Sequence, residues 1–113
     1  MRNAPIWKKR GWFDMASFIA FLRQNEAGSY IIEFPDLPGC ITVGESLALA
    51  NALAGEDLTR HLTTLITFGY PVPSPSGEAQ LADDPRRGAA DLMAFEVDLE
   101  FLGITNPLRY HTL

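Results

Sequence analysis

The chain has 113 residues, of which 47% are apolar, with a single cysteine and a formal net charge of −5. That length suits one domain with a self-sufficient core, one cysteine excludes an internal disulfide, and no apolar run approaches the roughly 20 residues of a membrane span. The start "MRNAPIWKKRGWFD" carries charge where a secretory signal needs a continuous apolar stretch, so the expected location is the cytoplasm, with no membrane association.

Charge is unevenly laid out. Arg2, Lys8, Lys9 and Arg10 stand near the N-terminus with no acid among them, and Trp7 and Trp12 flank the run. Residues 1–14 therefore read as a basic extension, either a tail that docks on an oligomer or a contact for RNA through charge and stacking. Between residues 11 and 85 the balance reverses, with ten acids against Arg23 and Arg60. An acidic body repels nucleic acid and steers toward basic partners.

"MASFIAFL", residues 15–22, is apolar on both faces and reads as a strand inside a sheet. Gly28 supplies a reversal. "YIIEF" is a second strand, with Tyr30, Ile32 and Phe34 on one face and Ile31 and Glu33 on the other. Pro35 ends it, because proline has no N–H for the ladder. Pro38-Gly39 fits the centre of a type II turn, and "CITVGE" returns antiparallel as the third strand.

From Leu47 the period changes. Ala50, Leu53 or Ala54, Leu58, Leu62, Leu65 and Ile66 recur every three or four residues, the stripe of an amphipathic helix about 34 Å long. Ser46 is its expected N-cap and Gly69 its C′ residue, and Pro71, Pro73 and Pro75 forbid continuation. Residues 71–90 read as a linker without periodicity. "DLMAFEVDLEF" then alternates, with Met93, Phe95, Val97, Leu99 and Phe101 facing one way and Ala94, Glu96, Asp98 and Glu100 the other. The remaining tail has no assignable pattern.

The order is β-β-β-α-β, an α+β fold: a three-stranded antiparallel meander, one crossover helix and a fourth strand beside the first. A right-handed crossover predicts strand four parallel to strand one. One helix covers one face, so Ile19 and Phe21, or else Phe18 and Ala20, are expected to point at an uncovered face beside Ile31. Apolar area on that scale implies a partner surface.

The residues from Tyr30 to Ser76 resemble the HicB-type antitoxin family. The resemblance rests on an aromatic-apolar strand, "FPDLPGC" from Phe34 to Cys40, Thr42 with "GESL" from Gly44 to Leu47, and "GYPVPSPS" from Gly69 to Ser76. With the flanking strands it runs over residues 15–99, so the expected organisation is a basic extension 1–14, a HicB-like domain 15–102 and a tail 103–113. The resemblance implies a partial ribonuclease-H-like unit. It also implies binding to a small basic HicA-type toxin, which cleaves messenger RNA with a histidine, and assembly into homo-oligomers, dimers or tetramers. Phe34, Pro35, Pro38, Gly39, Cys40 and Gly44 form its structural turn motif. Many members carry a C-terminal DNA-binding module. Only fourteen residues follow Leu99, too few for one, so DNA binding by this chain is not expected.

A ribonuclease-H-like outline raises the question of metal-bound carboxylates, which must converge from several elements. The first strand has no acid, and Glu56, Asp57, Glu96 and Asp98 would lack that central ligand. His61 has no evident nucleophile or orienting partner, and Cys40 and His111 show no metal-ligand spacing. Cys40 reads as a small buried residue. No enzymatic activity, metal or cofactor is expected.

The leading expectation is therefore an antitoxin that occludes a basic toxin's RNA-binding surface, with Glu33, Asp36, Glu45, Asp57, Glu96, Asp98 and Glu100 as toxin-binding candidates. Asp36 carries two readings, since aspartate in such a turn commonly bonds the turn's own backbone N–H groups. The alternative function is an orphan oligomeric domain, regulatory or RNA-associated, without a toxin.

Overall fold

A computed structural model describes residues 15–104. Its elements are β1 (Met15–Gln24), β2 (Tyr30–Glu33), β3 (Ile41–Gly44), α1 (Leu47–Thr67), α2 (Glu78–Ala82), β4 (Asp91–Asp98) and α3 (Leu99–Ile104). The expected extension over residues 1–14 and the end of the tail, residues 105–113, lie outside the described residues. No helix among the described residues is long and apolar enough to cross a membrane.

The β2–β3 connection is two turns in series. Leu37 N–H donates to Phe34 C=O and Cys40 N–H to Leu37 C=O, which places Pro35 and Pro38 at the second position of successive turns. Gly39 takes φ +89°, the left-handed position of a type II turn. Phe34 N–H then bonds Cys40 C=O and closes the hairpin.

The Ser46 side chain caps α1 by accepting Leu49 N–H at 3.1 Å. The helix ends in a Schellman arrangement, with Gly69 at φ +73°, Gly69 N–H on Ile66 C=O and Tyr70 N–H on Leu65 C=O. Gly44 is demanded by packing rather than by φ. A Cβ there would lie 2.6 Å from the backbone nitrogen of Ala50, so only glycine lets α1 start this close to β3.

The sheet is four-stranded and antiparallel throughout, in the order β3-β2-β1-β4. The expected α+β class and meander stand, but β4 runs antiparallel to β1, with Met15 opposite Asp98 and Leu22 opposite Asp91. The parallel expectation fails because the connection does not enter β4 where α1 ends. It runs the length of the sheet first, from the turn at Asp36, which Ser76 bonds, to the end of β1, where Arg23 holds Arg86 and Arg87.

That path also corrects the expectation of a bare sheet face. On the α1 side, Phe18, Ala20, Ile32 and Phe34 pack against Ala50, Ala54, Leu58 and Leu62, with Phe34 and Phe95 edge-to-face at 5.1 Å. On the far side Ile19 and Phe21 are buried as well, beneath Leu81 of α2 and Ala90. Residues 76–90 thus form a strap over the sheet rather than a structureless linker. The exposed apolar area of that face lies instead at the sheet's margins, at Ile41 and Val43 of β3, 53% and 56% exposed, and at Met15 where β1 begins.

The last expected strand stops at Asp98, whose carboxylate accepts Phe101 N–H and turns the chain into α3. Leu99 still packs on the α1-side core, but Phe101 is exposed rather than facing inward with Met93 and Phe95.

Candidate protein-interaction surface

The acids singled out in the sequence fall on both sides of the sheet. Strand alternation and register put Glu33, Glu96 and Asp98 on the far face with Phe21 and Ser17. Asp57 lies on the α1 side, Glu45 on the β3–α1 connection, Asp36 in the hairpin turn and Glu100 on α3.

Several of them are committed inside the molecule. Thr42 Oγ1 donates to Asp57 Oδ2 at 2.5 Å, and Arg60 reaches Oδ1 at 2.6 Å. The Thr42 hydroxyl, ahead of Arg60, holds the Asp57 carboxyl below the ordinary carboxylate range, against the opposing cost of partial burial. Glu33 pairs with Arg23 at 3.2 Å. Asp36 accepts the Ser76 N–H at 2.6 Å and its hydroxyl at 2.8 Å, forty positions along the chain. Its bonding within the chain is thus to Ser76 rather than to the turn's own N–H groups, because the turn carbonyls already satisfy those at Leu37 and Cys40. Glu45 and Glu96 remain exposed.

The basic residues explain how the strap is held. Arg23 donates to the carbonyls of Arg86 and Arg87 at 2.8 and 2.9 Å while its guanidinium stands 5.9 Å from the Phe21 ring centre. Arg86 binds Asp84 and the Pro35 carbonyl, and Arg87 binds the carbonyls of Ala82 and Ala90. The Arg86 bonds pull the Asp84 carboxyl down to about 2. Sequence reasoning missed this set, although "DDPRRG" offered a sign in paired arginines beside acids within a turn-rich stretch.

All four arginines between residues 15 and 104 are therefore engaged by carboxylates or carbonyls of the same chain. Thirteen carboxylates share that segment, so the exterior is strongly anionic.

Chemistry at this surface is limited by geometry. Glu56 is exposed on α1 and Asp98 projects from the opposite face of the sheet, so the two cannot share a metal ion. Among the described residues no three His, Cys, Asp or Glu side chains are grouped to hold one. Burial, reinforced by the charge of Asp57, raises the Cys40 thiol to about 11, the opposite of an activated nucleophile. His61 is half-buried on α1.

Residues 18–106 match the family model for the HicB-like antitoxin of bacterial toxin–antitoxin systems. The fold is similar to the crystal structure of the N-terminal domain of the Burkholderia pseudomallei antitoxin HicB, at TM-score 0.67 and 26% identity, covering 73% of this chain and 98% of that one. Against the Burkholderia pseudomallei antitoxin HicB itself the TM-score is again 0.67, at 27% identity, over 74% of this chain and 64% of that one. The chain thus spans about two thirds of that antitoxin's length. A HicA3 and HicB3 toxin–antitoxin complex is also similar, at TM-score 0.57 and 28% identity, covering 69% of this chain and 93% of that one. No curated protein sequence matches significantly. With a family model spanning most of the sheet, the strap and α1, the chain belongs to the HicB-like antitoxins of bacterial toxin–antitoxin systems.

Proposed function

We propose that this chain neutralises a small basic toxin of the HicA type by covering the surface with which that toxin holds RNA. One observation carries the reading: every arginine of the described body is engaged internally, and the carboxylates that remain open, Glu45 and Glu96 among them, face outward. A basic RNA-binding surface is the electrostatic complement of that exterior. The HicA3 and HicB3 complex among the similar structures supports a partner of this kind. The complex forms in the cytoplasm, where messenger RNA is the substrate withheld from the toxin.

The far face at β4 is the proposed centre of contact, with Glu96 and Asp98 presenting charge toward the toxin. Glu33, Asp36 and Asp57 contribute through their internal bonds, by fixing the strap, the hairpin and α1. Charge attraction sets the encounter rate, and apolar contact around it sets the lifetime.

The test is co-expression with the small basic reading frame beside this gene. Growth arrest by the neighbour alone, relieved by this chain together with co-purification, is the expected result. A Glu96→Lys, Asp98→Asn pair, which leaves a cap acceptor at position 98, should slow association and flatten its salt dependence. A harmless neighbour returns the chain to the reading of an oligomeric domain without a toxin. Unchanged kinetics in the pair moves the contact away from β4.

A further inference from the structure

The strap covers only part of the far face. Strand alternation and register lay that face out in pairs, Phe21 with Leu92, Ile19 with Ala94, Ser17 with Glu96 and Met15 with Asp98. Leu81 and Ala90 bury Ile19 and Phe21. Toward the start of β1 the face is open: Met15 is 48% exposed, Ala94 and Glu96 are exposed, and Ser17 and Asp98 are half-buried. Small side chains, Ser17 and Ala94, leave a low floor between Met15 and the strap, and Glu96 and Asp98 stand at its β4 margin.

The chain that leads into this open half has the opposite chemistry. Residues 1–14, outside the described residues, contain Arg2, Lys8, Lys9 and Arg10 against one acid, Asp14. They also contain both of the chain's tryptophans, Trp7 and Trp12, with Ile6 and Phe13 beside them. The segment joins β1 at Met15, directly opposite Asp98. At a rise of about 3.3 Å per residue, Trp7 has a reach of about 26 Å from Met15, whereas Ala94 lies only about 14 Å along β4 from Asp98. The surplus leaves room for a reversal, which Gly11 can supply.

We propose that residues 1–14 turn back at Gly11 and dock on the open half of the far face of their own chain, as an internal stand-in for a basic partner. Lys8, Lys9 and Arg10 then lie against Glu96 and Asp98. Trp7 covers the Ser17–Ala94 floor up to the edge of the strap, and Trp12 meets the exposed thioether of Met15. These are the acids assigned above to the toxin, so the consequence of docking rests on that reading: the toxin reaches β4 by displacing the segment.

Attachment favours this occupant over an outside one. With one end fixed beside Asp98, the segment meets the face at the high effective concentration of a short tether, without a search through solution. Charge brings the basic run to β4, and burial of an indole against the floor adds apolar contact. A toxin overcomes this only through a larger contact, so the segment discriminates against weak basic ligands.

The experiment is tryptophan fluorescence of the full chain without any toxin, because both tryptophans lie in the segment. Wild type is expected to show blue-shifted emission and acrylamide quenching several-fold weaker than that of free N-acetyltryptophanamide, at every protein concentration. The Glu96→Lys, Asp98→Asn pair should restore the quenching of a free indole with an unshifted far-ultraviolet circular dichroism spectrum. So should Trp7→Ser, which alters no charge and leaves Trp12 as the reporter. Wild-type tryptophans as accessible as the free indole, or shielding that the β4 pair leaves intact, overturn the proposal. Shielding that fades on dilution also overturns it, because the segment then docks on another copy. The same holds for shielding that appears only when single-stranded RNA is added, because the segment then contacts nucleic acid. With the toxin present, Trp7→Ser should associate several-fold faster than wild type. An unchanged rate in the undocked variant overturns the displacement step. A harmless neighbour in co-expression overturns the antitoxin reading alone, since the fluorescence result needs no toxin.

Discussion

The two faces of the sheet are closed by different physics. On one, α1 presents Ala50, Ala54, Leu58 and Leu62 in a single stripe, and adhesion is apolar contact over the whole helix. On the other, a strap that buries Leu81 and Ala90 is held down by Arg23, by Arg86 at the Pro35 carbonyl and by the Asp36–Ser76 bonds. The first closure spreads its free energy over many weak contacts, and the second concentrates it in a few directed bonds. Loss of one residue should therefore damage the first globally and the second locally.

The sharpest way to break the comparison is Leu58→Ala. A fully buried leucine under α1 leaves a cavity, and a loss of about 2–5 kcal/mol is expected from denaturant unfolding, with both faces failing in one transition. If the strap opens first in that variant, the closures are not tied as described.

Arg23→Ala is the counterpart on the far face, with an expected cost of about 1–3 kcal/mol from lost charged hydrogen bonds. Hydrogen exchange should accelerate across residues 81–90 while the α1 amides keep their protection. Uniform acceleration would mean that the strap and the helix unfold as one unit.

The smallest effect is the pH response of the strap. The Asp84 carboxyl is lowered from 3.8 to about 2 by its bonds from Arg86, so its contribution is complete above 3.8 and is lost as pH falls toward 2. An NMR titration of the Asp84 carboxyl carbon, followed with Arg86 Nε, should show both moving together in that window and the α1 signals unchanged. Movement of Asp84 at an ordinary carboxylate pKa would show the pair to be open in solution.

The same contrast explains what could be read in advance. The α1 face was legible because its signals are local and periodic: Ser46 before the stripe, Gly69 after it and Pro71 beyond. The turn at Pro38-Gly39 was legible for a similar reason, since each residue sets its own backbone geometry, whereas the turn before it, from Phe34 to Leu37, was read only as the end of a strand at Pro35. The strap was not, because Leu81 and Ala90 are isolated among polar residues and carry no period. Their partners lie far off, with Arg23 bonded across 63 positions and Asp36 across 40. The direction of β4 depends on that same path and was lost with it. Of the candidate acids, the alternation around Glu96 and Asp98 was plain in "FEVDLE" up to the point where Asp98 turns the chain. That Glu33 and Asp57 are held by Arg23 and Arg60 is a tertiary matter.

Cys40 has a consequence for how the molecule meets a changing cell. The chain's single thiol is 4% exposed behind the hairpin, and with its pKa raised to about 11 almost none of it is thiolate at neutral pH. Oxidants and electrophiles that convert reactive cysteines find little to attack. An oxidative burst should thus leave this thiol reduced, and oxidation of the described residues should begin instead at the exposed thioether of Met15.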